Sequence, residues 1–158
     1  MTTLQLANLD ARLAYLAAQY HLARPGSELD PETKQPAAHG LRELADAMEP
    51  QLDRAIVAIE LTAEQQRRLV EAAAGATNEL KSLALLAAGG KPVAPAFHQA
   101  LRRLFPNVVD DPDEATPLAG HMIELRRKLE RLDVAPEPAQ ESPAEKRGRW
   151  RFWDRKGA

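Results

Sequence analysis

The sequence predicts an all-α protein, a four- to five-helix bundle followed by a proline-rich linker and a short basic-aromatic C-terminal tail. The first observation is that leucine and alanine recur at alternating intervals of three and four residues, which is the spacing of one helix face. The second is that only 4% of the residues are aromatic, so the core has to be built from Leu and Ala, as in close-packed helices. The third is that we identify no strand-like alternation in these segments.

The first predicted helix ends at Arg24-Pro25-Gly26, because proline disfavours helical geometry in the residue before it and glycine breaks what remains. Residues 25–40 contain three prolines and two glycines without any periodicity, which predicts a long loop. The apolar stripe of this first helix is formed by Leu6, Leu9, Leu13, Leu16 and Tyr20.

A second helix is predicted to begin near Leu41. Pro50 falls inside it, and because an interior proline costs about 3 kcal/mol, either the helix kinks there or two short helices meet. Its apolar positions are Leu41, Leu44, Met48, Leu52, Ala55, Ile56 and Ile59.

The third predicted helix covers residues 62–88 and begins at a capping box, in which Thr62 is followed three residues later by Gln65. Gly89-Gly90 is expected to end it. Residues 72–76 in its middle are all small, so either a partner helix could approach closely or a bulky side chain could lie there.

Two shorter helices complete the predicted body, residues 1–133. The fourth follows Pro95 and is stopped by Pro106, and the fifth opens at Pro117 after an acidic loop. Their apolar faces are formed by Phe97, Leu101, Leu104 and Phe105, and by Leu118, Met122, Leu125, Leu129 and Leu132.

Composition excludes several classes of site. The chain has no cysteine, which removes disulfides, thiolate catalysis and cysteine-ligated metals. It shows no secretory signal pattern and no run of about 18 apolar residues, so we expect a cytoplasmic protein. The abundance of Ala, Leu, Arg and Pro is typical of a bacterial genome rich in G and C.

No catalytic or metal-binding motif stands out. The four histidines are scattered over different segments, and none is spaced to share a helix face with another. The acidic group at residues 110–114 lacks the register of an EF-hand and is interpreted as a solvated loop. Glu64 with Arg68, and Glu124 with Lys128, have the spacing of exposed ion pairs. We therefore predict a protein without an enzymatic role, catalytic residue, metal or cofactor.

Residues 146–158, called here the tail, concentrate charge and aromatic surface. They hold both tryptophans of the chain, and six of its 21 Lys and Arg against one of its 23 Asp and Glu, so the tail carries +5 and the remainder −7. The linker before them, residues 134–145, is rich in Pro, Ala and Glu, a composition that cannot build a core. The predicted partner-binding residues are Arg147, Arg149, Trp150, Arg151, Phe152, Trp153, Arg155 and Lys156.

Four interpretations of the tail remain open. Trp and Arg are enriched at binding hot spots, which favours docking of the tail on a protein partner by an adaptor or assembly subunit. The tail could also lie on an anionic membrane surface, or hold nucleic acid by phosphate contacts and base stacking, although an acidic body disfavours nucleic acid. In the fourth interpretation Trp150 and Trp153 complete the protein's own core or mark a disordered end. The heptad-like seams separately allow a homo-oligomer by helix exchange.

Overall fold

The computed structural model describes residues 1–24, 27, 29, 32–34, 40–86 and 95–134. In these residues the chain is mostly helical, which confirms the predicted helical class. It also contains a two-stranded antiparallel sheet, so the all-α prediction is wrong in that respect. The described elements follow the order strand, helix, helix, strand and then four helices, which makes six α-helices in place of the four or five predicted.

The sheet pairs two segments that the sequence analysis assigned to helices. Strand β1 is Thr2–Ala7 and strand β2 is Ile56–Leu61, with Thr2 opposite Leu61 and Ala7 opposite Ile56. Burial alternates along β2, where Val57, Ile59 and Leu61 face the core, as expected for a sheet with one covered face. Two β-branched isoleucines and a valine also favour extended backbone in this segment.

Helix α1, Asn8–Leu22, begins two residues later than the first residue of the predicted stripe. Leu6 is therefore a strand residue, and Leu9 is exposed, while the remaining leucines of the stripe are buried. The Asn8 side chain fixes this boundary, because its Nδ2 donates to the carbonyl oxygens of Leu52 and Arg54, each at 2.7 Å. The contact is made by residues far along the chain and could not be read from local spacing.

Pro50 ends the second helix instead of kinking it. Helix α2 is Leu41–Met48, and Pro50 lies in the following short 3-10 turn, Glu49–Gln51, after which the chain enters β2. The predicted kink is wrong. Two short helices do meet at this proline, as the other alternative expects, but the second is only the three-residue 3-10 helix. A proline, which has no N–H, is tolerated in the first turn of that second helix.

The capping box is confirmed. The Gln65 amide N–H donates to Thr62 Oγ1 at 3.1 Å, and the Thr62 amide N–H donates to Gln65 Oε1 at 2.9 Å. Helix α3, Ala63–Leu86, follows directly, while its predicted end at Gly89-Gly90 lies outside the described residues. Gln65 Nε2 also donates to the carbonyl of Gly40 at 2.9 Å, which ties the start of α2 to the start of α3.

The last three helices are α4 (Pro95–Leu104), α5 (Pro106–Asp110) and α6 (Ala115–Glu130). Pro106 follows the end of α4, as predicted, but it also opens the short helix α5, which was not predicted. The acidic segment then forms a 3-10 turn, Pro112–Glu114, capped by Asp111, whose side chain accepts from the Asp113 amide. Helix α6 begins two residues before Pro117, which lies in its first turn.

The core forms where α1, α3, α4 and α6 meet. Gln66 on α3 joins the far end of α6, because its Nε2 donates to the carbonyls of Leu129 at 2.6 Å and Leu132 at 2.9 Å. The largest fully buried side chains include Phe97, Leu13, Leu16, Leu69, Leu80, Met122, Leu125 and Leu129. These residues come mostly from the predicted stripes, so the periodicity correctly identified the buried faces of the helices.

One of the two predicted ion pairs forms. Arg68 Nε lies 2.9 Å from Glu64 Oε1, as predicted. Glu124 instead pairs with Arg127 at 2.8 Å, while Lys128 reaches Asp10 on α1 at 2.8 Å. The second prediction is therefore wrong, because a cross-helix carboxylate competes for the lysine.

Candidate functional site

The predicted site residues of the tail lie outside the described residues, as does the linker beyond Val134. Val134 itself is buried. The structure therefore does not place the tail relative to the body. The residues concerned are Arg147, Arg149, Trp150, Arg151, Phe152, Trp153, Arg155 and Lys156.

Within the body, the most unusual polar feature is a buried acid–base pair between α3 and α4. Glu79 Oε1 lies 3.8 Å from His98 Nε2, and the two side chains are only 9% and 23% exposed, respectively. Neither of these two atoms has a hydrogen-bond partner among the described residues. A buried carboxylate is costly unless it is paired and hydrogen-bonded, so Glu79 is poorly compensated at this distance.

The neighbouring core explains why His98 lies there. Phe97, the residue before it, is fully buried and meets the ring of Tyr20 edge-on, with the ring centroids 5.7 Å apart. This contact anchors the first turns of α4 against α1. His98 is thereby held at the border of the core, facing α3.

Tyr20 also contacts α3, at Gly75. A Cβ atom built on Gly75 would lie 2.3 Å from Tyr20 Cε1, a distance that atoms cannot adopt without a shift. The small residues of α3 therefore receive a bulky side chain, which confirms one of the two alternatives for residues 72–76. Glu79 follows one helical turn after Gly75, so Tyr20, Phe97 and the acid–base pair form one continuous region.

The chemistry available to this region is limited. A carboxylate and an imidazole can exchange a proton, but the two facing atoms are shielded from water on both sides. Among the residues that the structure describes, no three or more His, Cys, Asp or Glu side chains are grouped so that they could hold a metal ion. The pair thus has the geometry of a polar contact inside the fold rather than of an open catalytic centre.

Sequence reasoning missed this pair, although a signal for Glu79 was present. Glu79 lies seven residues after Ala72 and three after Ala76, so it occupies an inward-facing position on the apolar face of α3. A carboxylate at such a position is uncommon and marks a buried polar site. No comparable local signal identifies His98 as its neighbour, because that contact depends on how α4 packs.

We expect Glu79→Met to raise the free energy of unfolding by on the order of 1 kcal/mol, because it removes a poorly compensated buried carboxylate. Chemical denaturation at pH 7 measures the effect. Glu71→Met, at an exposed position on the same helix, is the control and should change stability by less than about 0.5 kcal/mol. A loss of stability in Glu79→Met would contradict the prediction.

The pKa values of Glu64 and Arg103 are shifted by ion pairs at the surface of the protein. The pKa of Glu64 is lowered mainly by its hydrogen bond from Arg67, with Arg68 contributing in the same direction. Arg103 donates to Glu49 at 2.7 Å, which raises the pKa of the guanidinium, and it also lies over the ring of Tyr15. Exposed ion pairs of this kind contribute about 0–1 kcal/mol, so we assign them a minor stabilising role.

No helix in the described ranges combines the length and the apolar character that a membrane crossing requires. Comparisons with protein-family models, with curated proteins and with solved structures find no match.

Proposed function

We propose that this chain is a non-enzymatic adaptor or assembly subunit of the bacterial cytoplasm, which engages a larger protein partner through its tail. The observation that carries the proposal is that both tryptophans of the chain lie in residues 146–158, among six Lys and Arg. Large aromatic side chains contribute most when they are buried, and Trp and Arg dominate binding hot spots. A basic, aromatic segment after a proline-rich linker is suited to docking on another surface.

The composition of the body supports this proposal. Its described residues bury a contiguous apolar core of leucine, alanine and a few aromatic residues. Phe97, which is fully buried, packs at the junction of α1 and α4. The body therefore has an apolar core of its own, which supports the proposal that the two indoles serve a different surface.

Charge favours a protein over the other partners. The tail carries +5 and the remainder of the chain −7, so an anionic membrane or nucleic acid would attract the tail and repel the body. A protein partner with a local acidic rim and an apolar pocket can bind the basic and aromatic side chains of the tail without repelling the acidic body. Because Trp150 and Trp153 are three residues apart, a helical turn formed on binding would bring both indoles to one face.

Affinity capture with matched variants tests the proposal. We expect the intact chain and a Trp150→Phe/Trp153→Phe variant to recover the same partner, because both keep aromatic anchors, and a Trp150→Ala/Trp153→Ala variant to lose it. The partner, once identified, should shift the tryptophan emission of the intact chain to the blue when it is added. Equal recovery of every captured protein by the intact and the alanine chains would refute docking through the tail.

The alternative, a peripheral factor on a membrane or on nucleic acid, predicts different results. Flotation with anionic but not neutral vesicles, lost at high salt, would identify a membrane surface, and a shift of single-stranded nucleic acid in a gel would identify the other class. Since both tryptophans lie in the tail, emission that is blue-shifted and protected from quenchers in the isolated chain would show that the tail packs on its own body.

A further inference from the structure

The two edges of the sheet differ in how their backbone groups are satisfied. On the free edge of β2, the Gln51 side chain binds Ala58 twice, donating from Nε2 to the carbonyl at 3.1 Å and accepting from the amide at 3.3 Å. Gln51 Nε2 also donates to the carbonyl of Ala47 at 3.0 Å, which holds the side chain in place. A side-chain amide thus takes the position that a neighbouring strand would occupy.

This contact also fixes which groups of β1 point outward. In an antiparallel pair, the N–H and C=O of one residue point to the same side, and the side alternates along the strand. The backbone N–H and C=O of Ala58 point away from β1. Gln5 lies opposite Ala58, so its backbone N–H and C=O point away from β2. The Asn8 amide donates to the Ala55 carbonyl at 3.0 Å, as this alternation requires three residues further along.

The outer edge of β1 is therefore formed by the backbone groups of Thr3, Gln5 and Ala7. All three residues are exposed, and no hydrogen bond to their outward groups comes from the part of the chain that the structure describes. Natural sheet edges are usually protected by lysine, proline, a bulge or a covering element. Strand β1 has no charged residue, proline or glycine, so its sequence does nothing to prevent another strand from pairing with it.

We propose that this edge pairs with β1 of a second copy of the chain, antiparallel, across a two-fold axis at Gln5. Gln5 then lies opposite Gln5 of the second copy, and Thr3 lies opposite Ala7 on both sides of the axis. All the outward backbone groups of both strands find partners in this register. The two sheets join into one sheet of four strands.

Apolar side chains support a second copy as the occupant. In this register Leu4, which is half-buried, lies opposite the buried Leu6 of the second copy, so the covered face of the sheet continues across the axis.

Electrostatics is also compatible with a two-fold axis. Self-pairing places the residue on the axis opposite its own copy, so a charge at that position would face a like charge. Strand β1 is uncharged throughout, and at the axis itself two glutamine amides can hydrogen-bond to each other. The tail, with its charge of +5, would gain no ion pair from an uncharged strand.

Sedimentation velocity over a concentration series tests this interface. The intact chain is expected to approach twice the mass of one chain as the concentration rises. Gln5→Pro should abolish the dimer, because it removes an outward N–H without removing a hydrogen bond between β1 and β2. Gln5→Ala, which keeps that N–H, should still dimerise, and unchanged circular dichroism of both variants excludes unfolding as the cause.

Charge complementation tests the position of the axis. Gln5→Lys and Gln5→Glu should each be monomeric alone, because like charges then face each other, and an equimolar mixture of the two should recover the dimer. The Trp150→Ala/Trp153→Ala chain should dimerise like the intact chain, which separates this interface from docking through the tail. An intact chain that stays monomeric at every concentration, a Gln5→Pro chain that still dimerises, or a mixture that fails to recover would each overturn the proposal.

Discussion

Phe97→Ala is expected to lower the free energy of unfolding by about 3–5 kcal/mol, the largest effect of a single substitution that we predict. The side chain is fully buried, and its ring contacts Tyr20 edge-on, so its removal opens a cavity at the junction of α1 and α4. The cost combines lost burial with a space that the neighbouring side chains cannot fill. Urea denaturation followed by circular dichroism measures it.

Val109→Ala provides the control for Phe97. Val109 is an exposed apolar residue on α5, so its truncation should change stability by less than about 0.5 kcal/mol. Phe97→Leu should fall between the two variants, since it keeps part of the apolar volume. If Phe97→Ala cost no more than Val109→Ala, the ring would not anchor α4, and His98 would lose the support that holds it near Glu79.

Gly75→Ala is expected to destabilise the protein by about 1–3 kcal/mol, although alanine is the better helix former by about 1 kcal/mol. The reason is steric, because the new Cβ would lie 2.3 Å from Tyr20 Cε1. The ring cannot move away freely while it packs against Phe97. Thermal unfolding and urea denaturation of the purified variant should both show the loss.

Gly120→Ala is the matched control, since a Cβ there meets nothing within 4 Å. It lies in helix α6 and should stabilise the protein by up to about 1 kcal/mol through helix propensity alone. In a Tyr20→Ala background, the penalty of Gly75→Ala should disappear, because the clash has no partner. The changes in the free energy of unfolding caused by Gly75→Ala and Gly120→Ala are expected to have opposite signs. Equal changes would mean that the ring of Tyr20 does not pack against α3.

The helices could be predicted from sequence where their determinants are local. Thr62 and Gln65 are three residues apart, so the start of α3 was identified from their spacing and is confirmed by both hydrogen bonds. Pro106 follows the end of α4, as predicted. The effect of Pro50 is harder to predict, because the sequence shows that a proline disturbs a helix but does not show whether the helix resumes after it.

The sheet could not be predicted in the same way. Leu6 and Leu9 are spaced as on a helix, and only the pairing of Thr2–Ala7 with Ile56–Leu61 makes the first of them a strand residue. That pairing joins segments separated by two helices, so no window of a few residues contains it. The apolar residues Val57, Ile59 and Leu61, which are buried, recur at every second position and are a usable local signal for a strand. The helix-like spacing of Ile56 and Ile59 obscures this signal.

The candidate sites also differ in whether local sequence is enough to identify them. The tail is recognisable from composition alone, because residues 146–158 gather both tryptophans and six cations in one short segment. The pair of Glu79 and His98 depends on where the packing of α4 on α1 places His98 relative to α3. The β1 edge, which the described residues leave unpaired, can be identified only from the register with β2. Features that arise from contact between distant segments cannot be predicted from the sequence before the fold is known.

The Gln51 side chain limits the size of any assembly built by strand addition. A sheet with two open edges can recruit copies at both ends and propagate into a fibre. Here the middle of the β2 edge is already occupied by the Gln51 amide, and the exposed Glu60 adds a negative charge beside it. Joining two copies through β1 would leave only these blocked edges at the ends, so growth would stop at two.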